Sequence, residues 1–347
     1  MSVATLTRDL KARAASLGFD KVAIARAEPL ERDRAALAAW LAGNRHATMA
    51  WMARDPARRS DPESILPGCR SVVALAVNYG PGEGERASRK GAASVARYAQ
   101  GRDYHKVMGR RLKELAAWLT AESGAAARTC VDTVPVLERA WAERSGLGWI
   151  GKNANLLTRD LGSWILLGEV LTAAELSPDD GPHEDYCGTC TACLDACPTH
   201  AIQSPGVVDS NACISYWTIE HRGAVPHDVR EGLGDWIFGC DVCQEVCPWN
   251  RSFAKVADDP FEARSDLAGL DPVEVLGLDE ATFRARFSGT ALMRARWDGM
   301  RRNACIVLGN RGDRRALPAL RAAAVDADPV VREHALWAIS RIEPGTG

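Results

Sequence analysis

No stretch of this 347-residue chain approaches the roughly eighteen consecutive apolar residues of a membrane-crossing helix, which excludes a helical bilayer span. An excess of one charge is missing too. Lys and Arg number 43 against 45 Asp and Glu, and the net charge of −2 argues against a surface coated with basic patches. No secretory leader opens the sequence, so a cytoplasmic setting with reduced thiols is expected. The eleven cysteines are therefore not read as a disulfide framework. The length allows two or three domains, and a hydrophobic content of 46% suffices for ordinary cores.

What is present is a concentration of thiols. Eight of the eleven cysteines fall in one region, beginning Cys187-x2-Cys190-x2-Cys193-x3-Cys197-Pro198 and resuming as Cys240-x2-Cys243-x3-Cys247-Pro248, with Cys213 between. The first spacing is that of bacterial ferredoxins, where the fourth cysteine serves a different 4Fe–4S cluster from the first three. Three cysteines at x2 spacing can wrap three corners of a cube, and the fourth must come from elsewhere. The count closes on two clusters: Cys187, Cys190, Cys193 and Cys247 for one, and Cys197, Cys213, Cys240 and Cys243 for the other. Structural zinc also takes Cys-x2-Cys pairs, but without the third cysteine or the trailing Cys-Pro. Cys69, Cys130 and Cys305 lie outside the pattern and read as buried free thiols. Single-electron transfer is the chemistry this pattern implies.

Along the chain, Leu6 to Leu17 reads as an amphipathic helix closed by Gly18, with a strand at Lys21 to Ala25 and a helix from Arg32 to Ala42. Ser71 to Asn78 is apolar without alternation, so burial on both faces is expected. A long helix spans Tyr104 to Ser123, a strand Thr129 to Asp132, and a helix opened by Pro135 runs to Ser145. Leu156 to Thr158 and Trp164 to Leu171 read as strands. These elements make an α+β domain over residues 1–178, joined through the polar segment Ser177 to Pro182 to a two-cluster, ferredoxin-like domain over 179–256. In residues 257–347, Arg301 to Gly309 recurs loosely as Arg332 to Ser340 after 31 residues, a period expected of HEAT-like helix pairs. A chance match between two Ala/Leu-rich helices is the alternative. Ten arginines lie between Arg284 and Arg321 against Asp298 and Asp313 alone, which suggests a surface for a phosphate-bearing partner.

Gly146-Leu-Gly-Trp-Ile-Gly151-Lys152-Asn153 matches G-x-G-x-x-G and falls one residue short of a P-loop. Both motifs need a strand before and a helix after, whereas here a helix precedes and strands follow. The glycines are read instead as letting backbone approach a large flat ligand, with Lys152 and Asn153 as polar contacts. Asp132 has two readings that the residues leave open. As a helix cap it would be ionised; in an apolar cavity it would stay protonated and serve as a general acid.

Val131-Asp132-Thr133-Val134-Pro135-Val136-Leu137-Glu138-Arg139, the glycine run and the two cysteine groups together resemble the epoxyqueuosine reductase family. So do Pro67-Gly68-Cys69-Arg70-Ser71, Arg97-Tyr98, Gly101-Arg102-Asp103-Tyr104-His105 and Cys213-Ile214-Ser215-Tyr216-Trp217-Thr218. The resemblance covers essentially the whole chain. It implies a cobalamin- and 4Fe–4S-dependent oxidoreductase that reduces the epoxide of epoxyqueuosine at the tRNA wobble position to queuosine. The N-terminal domain would hold base-off cobalamin in a nitroreductase-like fold, which needs no histidine as lower ligand. Asp132 falls on the family's proton donor, and the eight cysteines on its cluster ligands. Tyr98, Asn153, Ser215 and Thr218 are expected around the corrin, and Arg139, Arg301 and Arg302 against tRNA. A flavodoxin or ferredoxin would supply electrons, and the enzyme is expected to act as a monomer. Two other classes remain at this point: a corrinoid-dependent reductase of a small molecule, and a non-catalytic electron-transfer subunit.

Overall fold

A computed structural model describes residues 1–80, 91–179, 181–252 and 261–343. At its centre is a four-stranded antiparallel sheet of β1 (Lys21–Arg26), β2 (Ser71–Asn78), β4 (Ala127–Cys130) and β7 (Ile165–Thr172), in the order β1-β2-β7-β4. β2 pairs with β7 in unbroken register from Ser71 opposite Thr172 to Asn78 opposite Ile165. All eight residues of β2 are buried, as its lack of alternation predicts.

One face of the sheet is covered by α1 (Val3–Ser16) and α3 (Tyr104–Ser123), which bring Leu10, Met108, Leu112 and Leu115 onto Leu75 and Val170. Asp103 caps α3 by accepting the His105 N–H, and Gly124 ends it at φ 70°. The other face is covered by α4 (Glu138–Arg144), whose Ala140 and Trp141 pack on Val72 and Leu171. α2 (Glu31–Ala42) lies outside this pair, burying only Leu37.

Two differences from the sequence expectation matter for function. The strand expected over Thr129 to Asp132 ends at Cys130, and the helix expected at Pro135 begins at Glu138. Residues 131–137 therefore form a loop, and Asp132 stands in it at φ 48°.

Three two-stranded ladders complete the β structure. β5 (Trp149–Ile150) pairs with β6 (Leu156–Leu157), β8 (Ile202–Ser204) with β9 (Val207–Val208), and β3 (Ser94–Val95) with β10 (Trp236–Phe238). The β3–β10 pair is parallel and stitches the N-terminal region to the cysteine region. The C-terminal helices are α5 (Pro272–Gly277), α6 (Glu280–Phe287), α7 (Arg296–Arg311), α8 (Leu317–Ala323) and α9 (Pro329–Ile342). The two copies of the repeat form α7 and α9, which cross so closely that a Cβ on Gly309 would lie 3.0 Å from the Ala338 Cα. α7 is buried continuously from Gly299 to Leu308 because both helices and the cysteine region enclose it.

The regions do not have separate cores. Ala93, Val95, Ile237 and Phe238 share one apolar cluster with Phe283, Met300, Val307 and Ala335. The boundary placed at residues 256 and 257 lies outside the described residues, as does Asp180 in the first linker.

Candidate active site and cluster sites

The loop after β4 is pinned by charge. The Asp132 N–H donates to Glu138 Oε1 at 2.5 Å, which secures a left-handed backbone that Asp tolerates better than most residues. The cap position of α4 is Leu137, without a side-chain hydrogen bond, so Asp132 is not a helix cap. Its Oδ2 instead lies 2.9 Å from His105 Nε2, while His105 Nδ1 lies 2.8 Å from Asp103 Oδ1. The Tyr104 ring stacks on the imidazole with centroids 4.0 Å apart.

Protons distribute accordingly. Burial pulls His105 down, but carboxylates on both ring nitrogens outweigh it and raise the imidazole to about 9. The His105 hydrogen bond holds Asp132 below the usual carboxylate range against partial burial, with Arg294 and Arg139 contributing. The proton of this pair rests on His105 and Asp132 is ionised, so of the two readings the sequence leaves open the charged form holds, without the helix-cap role. The charged imidazole of His105 is the reason, and the Asp132 side chain stays 57% exposed beside it. Beneath the loop, loss of water raises Glu138 to about 7. Glu169 on β7 is fully buried and its carboxyl is raised further, chiefly by burial; neither oxygen has a hydrogen-bond partner among the described residues.

The cysteines gather in two quartets. Cys187, Cys190, Cys193 and Cys247 line a cavity of about 370 Å³ floored by Tyr186 and Trp249. Lys152 straps the loop by donating to the Gly188 and Cys190 carbonyls at 2.6 and 2.9 Å. Trp149 packs edge-on against Tyr186 and Trp249 at 5.2 and 5.0 Å. In the second quartet Cys213 neighbours Cys197, and Cys240 and Cys243 neighbour Cys213. The Ala201 N–H points at Cys197 Sγ at 3.2 Å, and the Ser215 and Tyr216 N–H groups point at Cys213. Cys193 of one quartet adjoins Cys243 of the other.

Burial pushes Cys243 up to about 12 and Cys240 further, so bare thiolates are disfavoured there. Bonding to a cationic iron core removes that penalty, and backbone N–H donors around sulfur suit a cluster. Among the described residues no group of His, Cys, Asp or Glu converges tightly enough for a single metal ion. Four thiols spread around a cavity fit the corners of a 4Fe–4S cube.

Other expected site residues are placed differently. Tyr98 lies between the two centres: its ring is 6.0 Å from Tyr104 and 6.3 Å from Phe238, and its hydroxyl feels both Asp241 and Asp132. Ser215 faces Cys213. Thr218 is fully buried, donating to the Ile214 carbonyl and accepting the Gly239 N–H, which removes it from a cofactor surface. Asn153 is also buried, with its amide on the Cys243 carbonyl at 3.3 Å, so it braces a cluster loop. The glycines of the run admit protein: a Cβ on Gly148 would lie 2.0 Å from the Leu157 carbonyl, and one on Gly151 2.1 Å from the Leu157 Cδ1. The expected approach to a flat ligand is thereby corrected to a tight β5–β6 turn.

The arginines divide. Arg139 is exposed, with one N–H on the Ala154 carbonyl at 2.8 Å. Arg301 and Arg302 are buried, which corrects their assignment to tRNA. Arg301 binds Asp326 and the Leu276 carbonyl. Arg302 donates to the His221, Gly223 and Trp217 carbonyls, locking the C-terminal helices to the cysteine region. Sequence reasoning gave no role to His105, Glu138 or Arg294. The available signal was Asp103-x-His105, a helix-capping aspartate placed to grip the imidazole two residues on.

Two four-cysteine centres beside a solvent-facing His–Asp pair define an iron–sulfur oxidoreductase. A 4Fe-4S double cluster binding domain matches residues 186–250, HEAT repeats match 290–346, and the family described as Epoxyqueuosine reductase QueG, DUF1730 matches 59–133. An epoxyqueuosine reductase of Gloeobacter violaceus is 46% identical over 320 residues, covering 90% of this chain and 98% of its own. One of Xanthomonas campestris is 43% identical, covering 96% and 95%. The chain belongs to the epoxyqueuosine reductase family. Its fold matches a crystal structure of epoxyqueuosine reductase with an epoxyqueuosine-modified tRNA-Tyr stem loop, at TM-score 0.93 and 31% identity over 98% of this chain and 91% of that one. A Bacillus subtilis epoxyqueuosine reductase, described with its catalytic aspartate loop swung out of the active site, matches at TM-score 0.91 and 30% identity over the same shares.

Proposed function

We propose that the protein reduces the epoxide of epoxyqueuosine in tRNA to the alkene of queuosine, with the Asp132–His105 pair as its proton source. Family membership sets the reaction, and the 2.9 Å contact between Asp132 Oδ2 and His105 Nε2 carries the assignment of the acid. Neither a small-molecule reductase nor a bare electron carrier is favoured by that membership. Converting an epoxide to an alkene consumes two electrons and two protons and releases water. Cobalamin dependence follows from the family, and the bound cofactors would supply low-potential electrons through the two clusters to carbon. The row of Tyr98, Tyr104 and His105, running from Asp132 toward Asp241 next to Cys240, would suit one side of a corrin.

The protein's own contribution is the proton. A departing alkoxide is a poor leaving group and must be protonated as the bond breaks. Asp132 is exposed toward the substrate side while His105 holds the transferable proton. As charge develops on oxygen, Asp132 takes the proton of His105 Nε2–H and passes it to that oxygen, and the second proton, which lets the oxygen leave as water, enters from solvent through the same pair. Asp103 keeps the imidazole charged and oriented from Nδ1. Glu138 holds the Asp132 backbone, so the loop presents its carboxylate in one position.

Electrons would enter at the quartet of Cys187, Cys190, Cys193 and Cys247, where Cys190 is exposed, from a flavodoxin or ferredoxin-type donor. The enzyme would act as a monomer on tRNA in the cytoplasm; among the described residues no helix is long and apolar enough to cross a membrane. Anaerobic protein reconstituted with iron, sulfide and cobalamin should convert epoxyqueuosine-tRNA to queuosine-tRNA when given a low-potential reductant. Full occupancy of cofactors without conversion would refute the assignment.

A further inference from the structure

We propose that Glu169 on β7 is a positioning residue for the reaction: its carboxylic acid donates to the Glu138 carboxylate and so keeps Glu138 fit to hold the catalytic loop. The inference rests on the Asp132–His105 reading above and adds the part that lies beneath the loop.

Each carboxyl has what the other lacks. Glu138 Oε1 accepts the Asp132 N–H, and among the described residues Glu138 makes no other hydrogen bond, so Oε2 is left without a donor. Glu169 is fully buried, and neither of its oxygens has a partner among the described residues. A carboxyl so placed is held as the neutral acid, which carries an O–H and needs an acceptor. Apart from burial, Glu138 is the group that acts on it. Two neighbouring carboxylates in an interior do not both ionise, and the more deeply buried one keeps the proton.

The sheet puts the two on one side. Glu169 stands opposite Ala74 and Cys130, and Ala74 stands opposite Ala23. Residues directly opposite share a face, and Cys130 packs with Ala140 and Trp141 of α4. The row therefore lies beneath α4, whose first residue is Glu138. Ala23 and Ala74 offer Glu169 no polar side chain, and burial pushes the Cys130 thiol up, so it stays uncharged.

The charges around Glu138 set what a donor would change. Asp132 in the loop opposes its ionisation, while Arg139 on its own helix and His105 on α3 favour it. The Tyr104 phenol, which also feels Glu138, is raised by burial and stays neutral. Loss of water outweighs the cations and puts Glu138 at about 7 without a donor from Glu169. A hydrogen bond from Glu169 favours the charged form and lowers that value. The charged form is the one that grips the Asp132 N–H firmly, since a carboxylate is a stronger acceptor than a neutral acid.

The test uses Glu169→Gln and Glu169→Leu in the full-length, cofactor-loaded protein. Gln retains a donor for Glu138, and Leu fills the space without one. Two readouts are followed across pH: single-turnover conversion of epoxyqueuosine-tRNA, and hydrogen exchange of the Asp132 amide corrected for its intrinsic pH dependence. In Glu169→Leu the acid limb of the rate should move up by about one pH unit, to about 7, so that at about pH 6 conversion is about fivefold slower than in wild type. Protection of the Asp132 amide should be lost over the same range. Glu169→Gln should keep the wild-type limb and the wild-type protection. A limb and protection unchanged in Glu169→Leu, or moved equally in both variants, would overturn the proposal, because a glutamate with a purely structural role changes stability without moving a pH limb. Asp132→Asn protein converting at the wild-type rate would instead overturn the proton-source reading, and amide exchange alone would then decide whether Glu169 secures the loop.

Discussion

Around the cysteines every restraint involves the backbone: Lys152 bridges two loop carbonyls, the Asn153 side-chain amide holds the Cys243 carbonyl, and N–H groups point at Cys197 and Cys213. Around Asp132 they are titratable groups: Asp103 holds His105, His105 holds the Asp132 carboxylate, and Glu138 accepts the Asp132 N–H. A relay for electrons benefits from fixed distances that no pH change disturbs. A proton source must instead gain and lose protons, so its neighbours share that property. The contrast teaches that the same protein builds one half of its chemistry on geometry and the other on charge.

The largest effect should come from breaking the geometric half. Cys243→Ser should leave one cluster, so iron falls from about eight to about four per chain. Turnover should vanish while stem-loop binding persists. Full iron content would show that the quartets are wrongly divided.

Next is the join between the cysteine half and the C-terminal helices. Arg302→Met strands three carbonyls that the guanidinium satisfies, which should cost about 3 kcal/mol or more in unfolding free energy. The salt dependence of tRNA binding should not change in that variant. A weaker salt slope would return Arg302 to the RNA surface.

Within the titratable half, His105→Gln should lower single-turnover reduction by about tenfold to a hundredfold and change its pH profile. In the wild type the rate should fall as pH rises through about 9, where His105 loses its proton. The stability that His105 gains from its carboxylates is complete below its unfolded value of 6.5 and lost by about 9, since its folded affinity for protons is raised. The Gln variant should lack both dependences. An unchanged profile would remove His105 from the relay.

The smallest effect concerns Glu169. Its folded carboxyl binds a proton more tightly than the unfolded one, so wild-type stability should fall as pH rises above the ordinary value of 4.5. Glu169→Gln should flatten that decline and stabilise the protein at neutral pH, as read by thermal melts. A melt curve with the same pH slope would show that Glu169 is solvated.

The sequence made the geometric half readable because cluster ligation is written in local spacing. Two Cys-Pro runs and one intervening cysteine sufficed to propose a division of eight cysteines, and four of them, Cys187, Cys190, Cys193 and Cys247, line one cavity. β2 was readable for a similar reason, since an unbroken apolar run needs cover on both faces. The titratable half was harder. His105 lies 27 residues from Asp132, and only the packing of α3 beside the loop after β4 joins them. Pro135 suggested a helix start, yet Asp132 takes a left-handed turn that Glu138 secures, and the helix waits three residues longer. Arg301 and Arg302 misled because composition reports charge and not direction. Both lie on the wholly buried stretch of α7, where neighbouring carbonyls and Asp326 hold their guanidinium groups away from solvent.

The most direct test is single-turnover conversion of epoxyqueuosine-tRNA by Asp132→Asn protein carrying full iron and cobalt. The amide keeps the shape of the side chain but cannot pass a proton from His105 to the departing oxygen. Conversion should slow by about a hundredfold or more while tRNA affinity holds. Conversion at the wild-type rate would show that the proton comes from elsewhere.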